Sequence, residues 1–233
     1  MRLIFISLLL LITCKASTQT RPSYTRQLQY LDSISRSENI SSHFAKVYYD
    51  LMLLINEQFK TTDTAIQRLV QHFEADLAAS YINACMIYQH KTSEQLPAWK
   101  NYFAYSDLSP VQSKLLGANA HLNGCFSETV IRFYQEEEWN ILNAHHSLFA
   151  TCLNKAYKQF YKEAFRTNPR IKAFAFFTLG IDKLAGFYYV HKWTNRQRKL
   201  IKYHFDSDAR YHKLLERINR KKESFDKLIV RLL

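Results

Sequence analysis

Asn119, His121 and Asn123 alternate within one short stretch, GANAHLNG, between Gly117 and Gly124. An imidazole can serve as general base or metal ligand, and two carboxamides can orient a substrate or a polar backbone group. These three residues are the candidate catalytic set. His72 and Asp76, four residues apart, and Glu128 are secondary candidates. A carboxylate one helical turn from an imidazole can fix its tautomer or share a metal with it, though the same spacing is common on ordinary helix surfaces. A divalent metal is the one cofactor these residue types suggest. His145 and His146 fall between Leu142 and Phe149 on an apolar stripe, where a histidine is more often a hydrogen-bonded core residue than a ligand.

Other chemistries lack their motifs. There is no His-Glu-x-x-His, no paired-cysteine spacing and no phosphate-binding glycine loop. No serine sits in a nucleophile elbow. Cys85, Cys125 and Cys152 are not spaced as metal ligands, and Cys85 and Cys152 sit on apolar stripes as small hydrophobes do.

The elements that must hold these residues are helices. Four glycines and four prolines among 233 residues leave few turns for a sheet, while 15 tyrosines and 16 phenylalanines fill a core easily. The pattern predicts helices over 24–35 and 42–60 and a third continuing to about 90, with its N-cap within TTDT, 61–64. Pro97 opens a short helix, and Ser109 with Pro110 starts another. A long helix is expected over 136–166, with Glu136, Glu137 and Glu138 loading its N-terminus with favourable charge. One more is expected over 171–192, and a final one from about residue 194 with a break at Asp206–Asp208. The fold class is all-α: a single-domain multi-helix bundle preceded by a cleaved signal peptide. The organisation is a signal peptide at 1–16, an N-terminal extension with a short helix at 17–35, and one helical domain at 36–233.

Helical geometry divides the opening cluster. On a continuous helix at about 100° per residue, Val111, Leu115, Ala118, Leu122, Phe126, Thr129 and Phe133 form one stripe. His121 lies on one flank with the two glycines, Lys114 and Glu128; Asn119, Asn123 and Gln112 lie on the other. An unbroken helix makes the asparagines partners in packing. A break at Asn123-Gly124 would bring all three polar residues together. The glycines themselves point either to a close neighbouring helix or to a groove beside His121.

The stretch LSPVQSKLLGANAHLNG, residues 108–124, resembles an uncharacterised bacterial family, a domain of unknown function. Its signature contains L-G-x-N-A-H-[IL]-N, matched here by Leu116, Gly117, Asn119, Ala120, His121 and Asn123, with Pro110 and Gln112 upstream. The similarity covers about 63–193. It implies an all-helical fold and no established activity. Cys125 stands where the family pattern has an acidic residue, and Ser113 where a histidine is frequent, which weighs against a metal held at those positions.

Arg2 followed by the apolar residues 3–12 suits an export signal and is too short to span a bilayer. Cleavage after Ala16 would release a periplasmic or extracellular protein; acylation of Cys14 would give a lipid-anchored envelope location instead. No later segment reads as a transmembrane helix. Residues 191–233 hold 13 Lys or Arg against 5 Asp or Glu, most of the net charge of +12. That basic, amphipathic part has an apolar stripe of Tyr211, Leu214, Leu215, Ile218, Phe225, Leu228 and Leu232. It either docks on the core with a solvated back or meets anionic lipid or an acidic protein. Export and the lack of a recognition motif make nucleic acid an unlikely partner. The sequence leaves two readings: a non-catalytic envelope or interaction module, and a hydrolase-like enzyme, with or without a metal, centred on His121 with Asn119 and Asn123.

Overall fold

The computed structural model describes residues 22–91, 96–105, 107–177 and 181–232. The expected signal peptide at 1–16, Cys14 included, lies outside the described residues. Within them every regular element is helical, so the fold is all-α. The helices are α1 (Tyr24–Ser35), α2 (Ser41–Phe59), α3 (Thr64–His90), α4 (Lys100–Ala104), α5 (Pro110–Ala120), α6 (Phe126–Phe133), α7 (Glu136–Ala144), α8 (His146–Thr167), α9 (Pro169–Phe177), α10 (Ile181–Phe205) and α11 (Arg210–Leu232). A π-helical turn, His121–Cys125, joins α5 to α6 without a break. No described helix is long and apolar enough to cross a membrane.

The helix ends follow local chemistry. The Asp63 carboxylate accepts from the Ala65 amide at 2.7 Å and starts α3, which stops where Lys91 turns left-handed at φ 51°. Ser109 and Gln112 cap each other reciprocally, with Pro110 in the first turn of α5. Gln135 and Glu138 do the same for α7. Two expected boundaries move. The helix predicted over 136–166 is interrupted at His145 (φ −95°, ψ 14°). Its ring nitrogen lies 2.9 Å from the Ile141 carbonyl, and that of His146 lies 3.1 Å from the Asn143 carbonyl. Neither histidine is buried. In the second case α10 runs unbroken through 192–195, and the chain turns after Phe205 with Ser207 left-handed at φ 51°.

The rod from α5 through α6 is the axis of the body. It packs on α2, α3, α10 and α11, and it is buried on most sides, as a helix surrounded by others must be. Gly117 permits the closest of these approaches, since a Cβ there would overlap the ring of Phe44 on α2. At Gly124 a Cβ would come within 2.7 Å of that of Ala98. Phe44, Tyr48, Tyr81, Trp99 and Tyr102 fill the core alongside. Their polar ends are mostly paired: Tyr81 donates to the Ser41 carbonyl at 2.5 Å, and Tyr102 to that of Ile40 at 2.8 Å. Trp99 donates to Ser80 at 3.1 Å. Tyr48 is the exception among them.

Candidate functional site

The continuous rod separates His121 from the asparagines. Asn119 is fully buried and donates to Asp226 at 2.7 Å and to the Lys222 carbonyl at 3.0 Å, both on α11. Asn123 donates to the Asn119 carboxamide oxygen at 2.7 Å. Asn101 donates to the other Asp226 oxygen at 2.7 Å, and Lys222 reaches that oxygen at 3.2 Å. Gln112 donates to the carbonyls of Ile229 and Val230. This flank therefore fastens the last helix to the body. The apolar seam of α11 is correspondingly rotated: Ile218 and Ile229 are buried, while Leu228, expected in the stripe, is 48% exposed.

His121 faces the opposite way, into the core. Its ring packs on Tyr48 with centroids 4.6 Å apart and on Phe44 at 6.1 Å. Its Nδ1 is buried without a hydrogen-bond partner, as are the Tyr48 hydroxyl and both polar atoms of the Gln197 side chain. Orphaned buried groups normally cost about 1–3 kcal/mol each, so three such side chains in one region mark a place where a ligand or water completes the bonding. Desolvation lowers the His121 imidazole to about 4 and keeps it neutral.

Two cavities meet at this histidine. The inner one, about 50 Å³, is lined by Glu74, His121, Gln197, Thr194 and Arg198 among apolar neighbours. That volume admits a few water-sized groups. Burial pushes the Glu74 carboxyl up to about 8, so at neutral pH it is mostly a protonated donor, lining the same cavity as the neutral imidazole. The outer cavity, about 260 Å³, has walls from Phe44, Tyr48, Leu115, Ala118, Ala156, Phe160, Tyr189 and Trp193. Leu51, His121, Leu122 and Leu153 belong to both.

Of the candidate site residues named from sequence, His121 alone lines these cavities, while His146, expected as a core residue, borders the inner one. His72 is exposed, and Asp76 is buried, accepting from the Tyr134 hydroxyl at 2.7 Å. Glu128 is exposed on a separate groove between α6 and α11, which Asn123 also borders. Among the described residues no three His, Cys, Asp or Glu side chains come together to hold a metal. Cys85, Cys125 and Cys152 are buried free thiols. Glu74, Tyr48 and Gln197 were not singled out, yet each carried a signal: a polar group at core spacing, as Glu74 stands between Val70 and Leu77.

A family model described as a family of unknown function, DUF5995, matches residues 24–231. The chain belongs to that family. The match contains the 108–124 stretch and reaches well beyond the 63–193 expected from it. No curated protein and no solved structure matches this DUF5995 chain. The geometry around His121 is therefore the ground on which its function must be read.

Proposed function

We propose that the protein is a non-catalytic binding module for an apolar molecule bearing an uncharged polar head. The observation that carries this reading is the position of His121, between an apolar cavity and a smaller one with unpaired polar groups. The tail of such a ligand fits the outer cavity, and a hydroxyl or carbonyl head reaches the imidazole, Glu74 and Gln197. A neutral head is favoured because Glu74 and His121 are themselves uncharged at neutral pH, the Arg198 guanidinium is already donating to Asn143 and Asn195, and an ion brought there would lose its hydration. Arg2 and the apolar residues 3–12 support export, and with it an envelope setting. The fastening of α11 by its inner face buries Lys222 but leaves its other cations outside, which supports contact with anionic lipid or an acidic protein through 191–233.

The test is titration of the folded protein with dodecanol and with dodecanoate at neutral pH. Dodecanol is expected to bind roughly tenfold or more tightly than the anion. Ala118→Trp, which fills the outer cavity, should abolish binding while circular dichroism shows the fold retained. Equal binding by that variant, or a preference for dodecanoate, would overturn the reading.

A hydrolase-like activity is the second reading, favoured by one observation: a neutral imidazole and a protonated carboxyl share the inner cavity, as a base and an acid do. In that reading the His121 imidazole would take the proton of the attacking water. Hydrolysis of p-nitrophenyl dodecanoate should then fall at least about 100-fold in His121→Gln. Equal rates in the two proteins would sink it.

A further inference from the structure

The cations left outside by the docking of α11 are not scattered. Trp193 and Phe225 form the seam between α10 and α11, their rings edge to face at 4.9 Å. Along the outside of that seam lie Lys192 and Arg196 from α10 and Arg217 and Lys221 from α11. They are close enough that Arg196, Arg217 and Lys192 depress the Lys221 ammonium. Among the described residues no carboxylate forms an ion pair with any of the four. Unpaired cations gathered in this way cost the fold stability, and an anionic partner relieves the cost.

The same face carries exposed apolar side chains. Tyr188 is 58% exposed and Tyr189 47%. The Lys192 ammonium lies 4.8 Å from the centre of the Tyr188 ring and donates to its hydroxyl at 2.9 Å. Tyr189, half in solvent, also lines the outer cavity, as do Trp193 and Phe225. The cavity rim and the cations thus share one surface. Tyrosines beside lysines and arginines at the rim of an apolar space are the side chains that sit at a bilayer interface, where hydrocarbon gives way to headgroups.

We infer that the outer face of α10 and α11, built from Tyr188, Tyr189, Lys192, Arg196, Arg217 and Lys221, docks on a bilayer containing anionic phospholipid. The cations meet the phosphates, and the tyrosines enter the headgroup layer. Docking brings the cavity rim against the membrane, a source of apolar ligand. That last link rests on the apolar-ligand reading above; the charges and tyrosines do not depend on it. A nucleic acid or an acidic protein would also satisfy the cations, and binding to heparin but not to vesicles would point to one of these instead.

The full chain is mixed with sedimentable vesicles of phosphatidylcholine, with and without phosphatidylglycerol, at low and at high salt. Binding is expected only with phosphatidylglycerol and should weaken as salt rises. Each neutralised cation lowers the partition coefficient roughly fivefold, so Arg217→Gln with Lys221→Gln should lose at least tenfold. Lys60→Gln, at the C-terminal cap of α2, should lose nothing. Tyr188→Ser with Tyr189→Ser should release the binding that persists at high salt. Equal binding to neutral vesicles, full binding by the Arg217/Lys221 variant, or binding to heparin but not to vesicles would each overturn the inference. Dodecanol binding by the Arg217/Lys221 variant in vesicle-free solution is expected to be unchanged, so failure on vesicles and failure of the cavity reading give different results.

Discussion

Glu74 and His121 hold their protons out of step with water, and stability records it. The Glu74 carboxyl rises from 4.5 to about 8 on folding, so between those values the folded chain keeps a proton that the unfolded chain releases. Its contribution to stability therefore falls as pH climbs through that window. His121 drops from 6.5 to about 4, so there the unfolded chain holds the extra proton and stability rises with pH. The two slopes oppose each other up to pH 6.5, and above it Glu74 acts alone. Urea unfolding at pH 6.5 and pH 8 should show the wild type losing roughly 1–2 kcal/mol relative to Glu74→Gln. A difference that does not change with pH would mean that Glu74 is not a buried acid. Relative to the wild type, His121→Phe should lose stability as pH climbs from about 4 to 6.5, because the falling Glu74 slope is then unopposed. The imidazole was legible in the sequence because a histidine framed by asparagines and glycines stands out. Glu74 and Gln197 were harder to see, since single Glu and Gln residues in a helix are ordinary surface residues unless their phase against the apolar stripe is followed.

Helix phase is also what the π turn alters. Extrapolated at a constant 100° per residue, the stripe from Val111 continues to Phe126 and Phe133. The amide of Phe126 bonds back to the His121 carbonyl, which inserts one residue into the turn. Beyond it the buried set moves on by one, to Ser127, Val130 and Tyr134, and Phe133 is 38% exposed. No local propensity in HLNGC announces the insertion; the fit between Gly124 and Ala98 on one side and His121 and Tyr48 on the other supports it. The last helix poses a related problem, because its buried face contains an ion pair. Lys222 and Asp226 have side chains only 8% and 4% exposed, and an apolar-stripe reading passes over them in favour of Leu228. Such a pair costs little when whole and much when halved. Asp226→Ala strands Lys222 and removes the acceptor of Asn101 and Asn119, so it should destabilise by about 3–5 kcal/mol. The double change Lys222→Met with Asp226→Leu should cost less than Asp226→Ala alone, measured by urea unfolding. A larger cost for the double variant would show that the carboxylate network, and not α11 packing, sets the stability of this end.

Across the whole molecule the charge is lopsided, and this much could be counted from the chain: 13 of its 32 Lys and Arg residues lie in 191–233. Which cations meet depended on helix ends that composition placed wrongly. With a boundary near residue 194, Lys192 and Arg196 would fall on different helices; on the unbroken α10 they are one turn apart and face Arg217 and Lys221. A surface arranged in this way favours an external partner over its own stability. Lys221 is repelled by three neighbours and paired with none, so its removal should strengthen the fold even though no contact is gained. Lys221→Gln is therefore expected to raise stability by roughly 0.2–0.5 kcal/mol at low ionic strength, a gain that fades as salt approaches about 0.15 M and screens the cluster. The same substitution should weaken adsorption to phosphatidylglycerol vesicles. Opposite signs in the two measurements distinguish a surface held for binding from an ordinary solvated helix back, where losing one lysine changes neither. If Lys221→Gln instead lowers stability at low salt, the four cations are not in mutual repulsion, and the face loses its physical reason to seek an anionic partner.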